Sequence, residues 1–165
     1  MINVVLFSPE IPPNTGNIIR TCMASNAKLH LIKPLGFKID DASFKRAGLD
    51  YLRSFSFNTY ENYEDFIDKC KPDFETSYII TRFADFTYSE AKLDDSKKDY
   101  WFIFGSETHG LPEKIHQIYQ GHRLRIPMDA NARCLNLSNS VAIIVYEALR
   151  QQNFPTLSRI NVLEG

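Results

Sequence analysis

Cysteine is scarce in this chain of 165 residues: Cys22, Cys70 and Cys134 stand far apart and are odd in number. That pattern speaks against a disulfide framework and offers no zinc-ligand spacing. No apolar run approaches the ~18 residues that a membrane-crossing helix needs. The opening MINVVLFSPEIPPN has neither the basic region nor the small-residue cleavage site of a secretory signal. The cytoplasm is therefore the expected compartment. Net charge is also missing: a balance of −1 argues against a protein that coats nucleic acid by bulk electrostatics. No glycine-rich stretch is followed by Gly-Lys-Ser/Thr, so there is no P-loop, and no G-x-G-x-x-G marks a standard dinucleotide fold. Repeats, low-complexity tracts and linkers are absent too, so residues 1–165 are expected to form a single domain.

What the chain does contain is ordinary for a globular protein, 44% hydrophobic and 24% charged residues. The charge is unevenly spread. Arg20 to Arg53 holds seven Lys/Arg against three Asp/Glu, whereas Tyr60 to Asp99 holds six against eleven. A neutral total thus leaves room for a basic face, or for nothing more than solvated surface charge.

Apolar runs at INVVLF (from Ile2), KLHLIKP, SFSFNTY, SYIIT, YWFIF and HRLRIP read as strands. Helical spacing appears in three places. Ile18, Ile19, Cys22 and Met23 share a face, as do Tyr63, Phe66, Ile67 and Cys70, and Val141, Ile144, Val145, Ala148 and Leu149 in the last long element. DDASFKRAGLDYL is a further helical stretch. The prolines of SPEIPPNTGN predict a turn there, with Asn14 or Thr15 capping the helix beyond it. SEAKLDDSKKD reads as an exposed loop. Strands alternating with helices predict an α/β domain, a mainly parallel sheet with helices on both faces.

In such a sheet ligands sit at the carboxyl ends of strands, which selects the loops after SYII, YWFIF and LRIP. The second, FGSETHGLP, is the most suggestive. Gly105 lets backbone come close to a ligand, and Gly110 permits positive φ. Glu107 and His109 would need further ligands to hold a metal, and the chain does not supply them at a recognisable spacing; no metal is expected. The third loop crowds Asn136, Ser138, Asn139 and Ser140 at the start of the last helix. One or two of these would satisfy an N-cap, and the remainder must face solvent, another loop or a ligand. A separate N-terminal loop, PPNTGNIIR, contributes Asn14, Asn17 and Arg20, with Asn14 and Arg20 nearly two helical turns apart.

Taken together, IPPNTGNIIRTC, FGSETHGLP and RIPM…LNLSNSVAIIVYEALR resemble the three signature motifs of the SPOUT superfamily of RNA methyltransferases. The resemblance runs from residue 2 to about residue 152 and favours the branch that methylates ribose 2′-hydroxyls. The lack of an added RNA-binding domain, with PLGFKIDDASFKRAGLDY after the second strand, is similar to the minimal TrmL (YibK) group, which acts on the wobble pyrimidine of leucine tRNAs.

The resemblance implies a C-terminal trefoil knot, a rare exception to unthreaded connections, and S-adenosylmethionine as methyl donor. It implies Ile80, Gly105, Ser106, Glu107, Ile126, Cys134 and Leu135 as cofactor contacts, with Glu107 ordering its loop or binding ribose. Related enzymes often carry serine at the position of Cys134. The implied catalytic set is Arg20 with Asn14 and Asn136, in a homodimer where Arg20 of one subunit completes the site of the other. Arg20 is the family's proposed base. A guanidinium with a pKa above ~12 is a poor proton acceptor, and its other available role is to hold the adjacent phosphate and stabilise charge on the 2′-oxygen. The implied partner is the tRNA anticodon stem-loop, for which Lys33, Lys45, Arg46, Arg53 and Arg133 are candidate phosphate contacts. Ribosomal RNA as substrate, or a non-catalytic knotted RNA-binding protein, are the alternatives.

Overall fold

The apolar runs assemble into one sheet. In a computed structural model that describes residues 1–39 and 55–160, the strands are β1 (Ile2–Phe7), β2 (Lys28–Ile32), β3 (Asn58–Tyr60), β4 (Ser77–Ile80), β5 (Phe86–Thr87), β6 (Tyr100–Phe104) and β7 (Arg123–Arg125). They lie in the order β3-β2-β1-β6-β4-β7-β5, and every pairing is parallel. The helices are α1 (Pro12–Ser25), α2 (Tyr63–Cys70), α3 (Glu113–Ile118) and α4 (Leu137–Gln151).

Alternation along the strands sends successive side chains to opposite faces. Val4, Leu6, Phe102 and Phe104 meet Ile18, Ile19 and Cys22 of α1 and Val141, Ile144 and Val145 of α4. Val5, Trp101 and Ile103 turn the other way, toward Tyr63 and Phe66 of α2 and Ile115 of α3. Helices therefore cover both faces, and the central strands must be apolar on both sides, which is why their sequences read as unbroken runs. Phe66, Phe102 and Phe104 are among the largest fully buried side chains, each contributing about 1.5–3 kcal/mol of burial.

Three local expectations are corrected. Helix α1 begins at Pro12, not after Asn14 or Thr15, with prolines in its first turn; a missing N–H costs nothing there because the first helical N–H groups have no intrahelical partner anyway. Asn14 and Thr15 are buried inside that turn. The strand foreseen over SFSFNTY narrows to three residues. SEAKLDDSKKD is not simply exposed loop. Its Leu93 is fully buried, donating its N–H to Gln151 Oε1 at 2.8 Å and accepting from Gln152 Nε2 at 2.9 Å. Just before it lie a strand, β5, and a 3-10 turn at Tyr88–Glu90 that the sequence did not suggest. The helix expected over DDASFKRAGLDYL lies outside the described residues.

Candidate active site

The three loops singled out above do meet. The carboxyl ends of β4, β6 and β7 open into one cleft of about 730 Å³, closed on one side by the start of α1 and on another by the start of α4. Ile80, Ile126 and Leu135 line it beside Gly105, Glu107, Arg133 and Cys134.

The FGSETHGLP loop doubles back on itself. Ser106 and Gly110 exchange backbone hydrogen bonds, Ser106 N–H to Gly110 O at 3.2 Å and Gly110 N–H to Ser106 O at 3.0 Å. Gly110 sits at φ +68, as its positive-φ assignment required. The reason for Gly105 differs from the one expected. A Cβ there would come within 2.3 Å of the Gly110 carbonyl carbon and 2.5 Å of Leu111 N, so this glycine admits its own loop's backbone. Ser106 is buried and accepts from His109 N–H at 3.2 Å through Oγ.

Two carboxylates clasp this loop to α1. Ile11, at the N-cap position, has no side chain able to accept from the helix. Glu107 reaches the same end of the helix from 96 residues away, accepting from the two backbone N–H groups just before it, Glu10 N–H at 2.8 Å and Ile11 N–H at 3.1 Å, and from Asn14 Nδ2 at 3.1 Å. A carboxylate at a helix N-terminus is also favoured by the helix dipole. Glu10 answers in the other direction, accepting from Thr108 N–H at 2.9 Å and pairing with His109 Nδ1 at 3.0 Å. Those hydrogen bonds hold the Glu10 carboxyl below the usual carboxylate range. Glu107 thus ties its loop to the start of α1.

Asn14 joins the third segment to the other two. While its Nδ2 donates to Glu107, its Oδ1 accepts from Asn136 Nδ2 at 2.9 Å. Asn136 is the N-cap of α4, and its Oδ1 accepts from Ser138 N–H at 2.8 Å, Asn139 N–H at 3.4 Å and Ser138 Oγ at 2.6 Å. Ser140 Oγ donates back to the Asn136 carbonyl. The surplus of small polar groups is mostly spent on capping α4 itself, with the Asn136 amide as the link to α1 and Asn139 left exposed.

Other expected site residues do not converge. Arg20 is exposed on α1 and is not part of the cleft wall in the single chain. Lys33 pairs with Glu61 at 2.6 Å, while Lys45, Arg46 and Arg53 lie outside the described residues. Among the described residues no group of three His, Cys, Asp or Glu is placed to hold a metal. Arg82, Phe83, His116 and Arg125 line the cleft without having been foreseen. The signal for two of them was in plain view, since Arg82 and Phe83 follow the SYII strand directly.

Parallel sheet, three loops at its carboxyl edge and the polar relay between them define a class, and sequence comparison agrees with it. The profile of the SpoU rRNA Methylase family matches residues 1–146, and the chain belongs to that family. A Geobacillus stearothermophilus protein assigned as a tRNA (cytidine(34)-2'-O)-methyltransferase is 50% identical over 158 residues, spanning 95% of this chain and 99% of the relative. A crystal structure assigned to an RNA methyltransferase from Bacillus anthracis superposes with a TM-score of 0.89 at 46% identity, covering 97% of this chain and all of that one. A structure concerned with 2-OH methylation of C/U34 on tRNA gives 0.82 at 33% identity, covering 93% and 97%.

Proposed function

We propose that this chain transfers a methyl group from S-adenosylmethionine to the ribose 2′-hydroxyl of the wobble pyrimidine of tRNA, cytidine or modified uridine, with leucine tRNAs as substrates. The observation that carries the reading is the Asn14–Glu107–Asn136 relay, which draws the three motif segments around one cleft in a chain similar over nearly its whole length to a cytidine-34 methyltransferase.

The cleft suits the donor. An adenine is flat and largely apolar, and Ile80 and Ile126 at strand ends, with Leu135 just before α4, offer it apolar walls where backbone groups can read its edge. When bound, S-adenosylmethionine supplies a methyl carbon on a sulfonium, already activated for displacement. What remains for the protein is alignment, exclusion of water and handling of the hydroxyl proton. Asn14 and Asn136 act as positioning residues, since their amides bind each other and Asn14 also binds Glu107. Arg20 lies away from the cleft of its own chain, so a second subunit supplies it. In this reading the protein is a homodimer, and Arg20 holds the phosphate and stabilises charge developing on the 2′-oxygen.

The same reading includes one cytoplasmic domain over residues 1–165 with a knotted C-terminal part, bound to the anticodon stem-loop. Incubating the purified protein with S-adenosylmethionine and individual leucine tRNAs, followed by nuclease digestion and mass spectrometry, tests it. A 2′-O-methyl mark on nucleotide 34 is the expected product. Marks only on ribosomal RNA, or none on any RNA, would overturn it. Light scattering coupled to gel filtration reads the subunit count independently.

A further inference from the structure

The adenosyl reading leaves one wall of the cleft unused. Phe83, 61% exposed, is held in the open just after β4. The guanidinium carbon of Arg82 sits 4.7 Å from the centre of its ring. The buried His116 ring packs nearly perpendicular to it, 6.1 Å between centres. The segment is firmly anchored to β7. Thr81 N–H donates to Leu124 O at 3.0 Å and Asp85 N–H to Arg123 O at 3.1 Å. The Asp85 carboxylate accepts from Arg123 Nε at 2.8 Å and Gly121 N–H at 3.1 Å. Between these anchors, Phe83 N–H bonds to Thr81 Oγ1 at 3.2 Å. An exposed aromatic ring on a rigid segment is preorganised for a ligand that brings its own flat face.

Charge points to the same ligand. Arg82, Arg125 and Arg133 line this cleft, and among the described residues none of them is in an ion pair. Three unneutralised cations at the mouth of one cleft stand out in a chain of net charge −1. We propose that Phe83, buttressed by His116, is the stacking surface for the base of the methyl-accepting nucleotide, and that Arg82, Arg125 and Arg133 hold the flanking phosphates. The proposal rests on the RNA methyltransferase reading. Single-stranded loop nucleotides are recognised in this way, unstacked from their neighbours and laid against an aromatic ring or a guanidinium plane.

Binding of a fluorescein-labelled anticodon stem-loop RNA, measured by anisotropy on the full-length protein, tests the wall. Calorimetric titration of S-adenosylmethionine alone runs in parallel. Phe83→Ala is expected to weaken RNA binding roughly tenfold, with donor affinity unchanged. Phe83→Trp, which keeps a flat face, should restore it. Arg125→Gln should lower the slope of log affinity against log salt by about one. RNA binding equal to wild type in Phe83→Ala overturns the proposal, and so does a loss confined to S-adenosylmethionine, which would give the wall to the donor's amino-acid end. A wild-type protein that binds both ligands yet methylates no RNA would overturn the parent reading while leaving the Phe83 comparison intact.

Discussion

Two clefts of nearly equal size open at opposite ends of the same sheet. One, about 730 Å³, lies at the carboxyl ends of β4, β6 and β7. The other, about 750 Å³, lies where Asn3, Lys28, Asn58 and Asp99 mark the beginnings of strands. Volume does not separate them, but bonding does. Behind the second cleft the polar groups close on one another: His30 Nδ1 meets Tyr60 OH at 2.8 Å, His30 Nε2 meets Asn3 Oδ1 at 3.3 Å, and Tyr60 OH meets Cys70 Sγ at 3.0 Å. Asn3 Nδ2 donates to Tyr100 O, so this amide too is engaged at both ends. Burial, aided by the charge of Lys28, pushes His30 down to about 4, and it is neutral at physiological pH. In the first cleft the polar groups fasten loops to helices and leave three arginines and a phenylalanine facing outward. The one network is satisfied internally; the rim of the other keeps cations without carboxylate partners among the described residues.

That contrast sets the direction of each substitution. Arg20→Ala should produce the largest effect, lowering turnover on the order of 10²–10³-fold, the usual consequence of removing one charge-stabilising donor. Its affinity for S-adenosylmethionine should match wild type. Single-turnover methylation beside calorimetry checks this, and a parallel loss of donor binding would place Arg20 in the wrong role.

At the opposite end the balance reverses. His30→Leu should cost about 1–3 kcal/mol, because Tyr60 and Asn3 lose a buried partner, and leave methyl transfer per folded molecule unchanged. It should also alter the acid profile. His30 has a folded pKa of about 4 against an unfolded value of ~6.5, so between those pH values the unfolded chain binds the extra proton. Stability from this group is full above pH ~6.5 and lost as pH falls toward 4. Urea unfolding at a series of pH values should show that slope in wild type and a flatter one in the variant. An equal slope in both would mean that the closed network does not control acid stability.

Glu107→Ala lies between the two behaviours. Removing the hydrogen bonds that tie this loop to the start of α1 should cost about 0.5–1.5 kcal/mol, and freeing Asn14 should raise the KM for RNA as well. Glu107→Gln keeps one acceptor oxygen and should recover part of both. If Glu107→Ala proved silent in stability, the clasp would be incidental.

These assignments also show what could be read before folding. The strands were legible because burial on both faces demands apolar runs, and three site segments were legible because parallel sheets place loops at one edge. The clasp was not, because no local pattern announces that Glu107 will accept from Glu10 and Ile11 N–H groups 96 and more residues away. The prolines misled for a related reason, being helix breakers in the interior but acceptable in the first turn. Counting cations led to Lys33, which pairs with Glu61, and passed over Arg82 and Arg125, whose importance lies in facing the cleft without a carboxylate. A two-residue strand such as β5 carries too few positions for any periodicity.

The smallest effect is expected at Cys134. It lines the first cleft and is exposed. If its contact with the donor is made through the main chain, thiol and hydroxyl are interchangeable there, and nothing buried depends on either. Cys134→Ser should then change donor affinity and stability by less than about 0.5 kcal/mol, the range of surface substitutions. Calorimetry on the two forms measures the difference directly. A gain well beyond that range would show that the rim lacks a hydroxyl it can use, and would make Cys134 a specific weakening of the donor site; a comparable loss would assign the thiol a contact of its own.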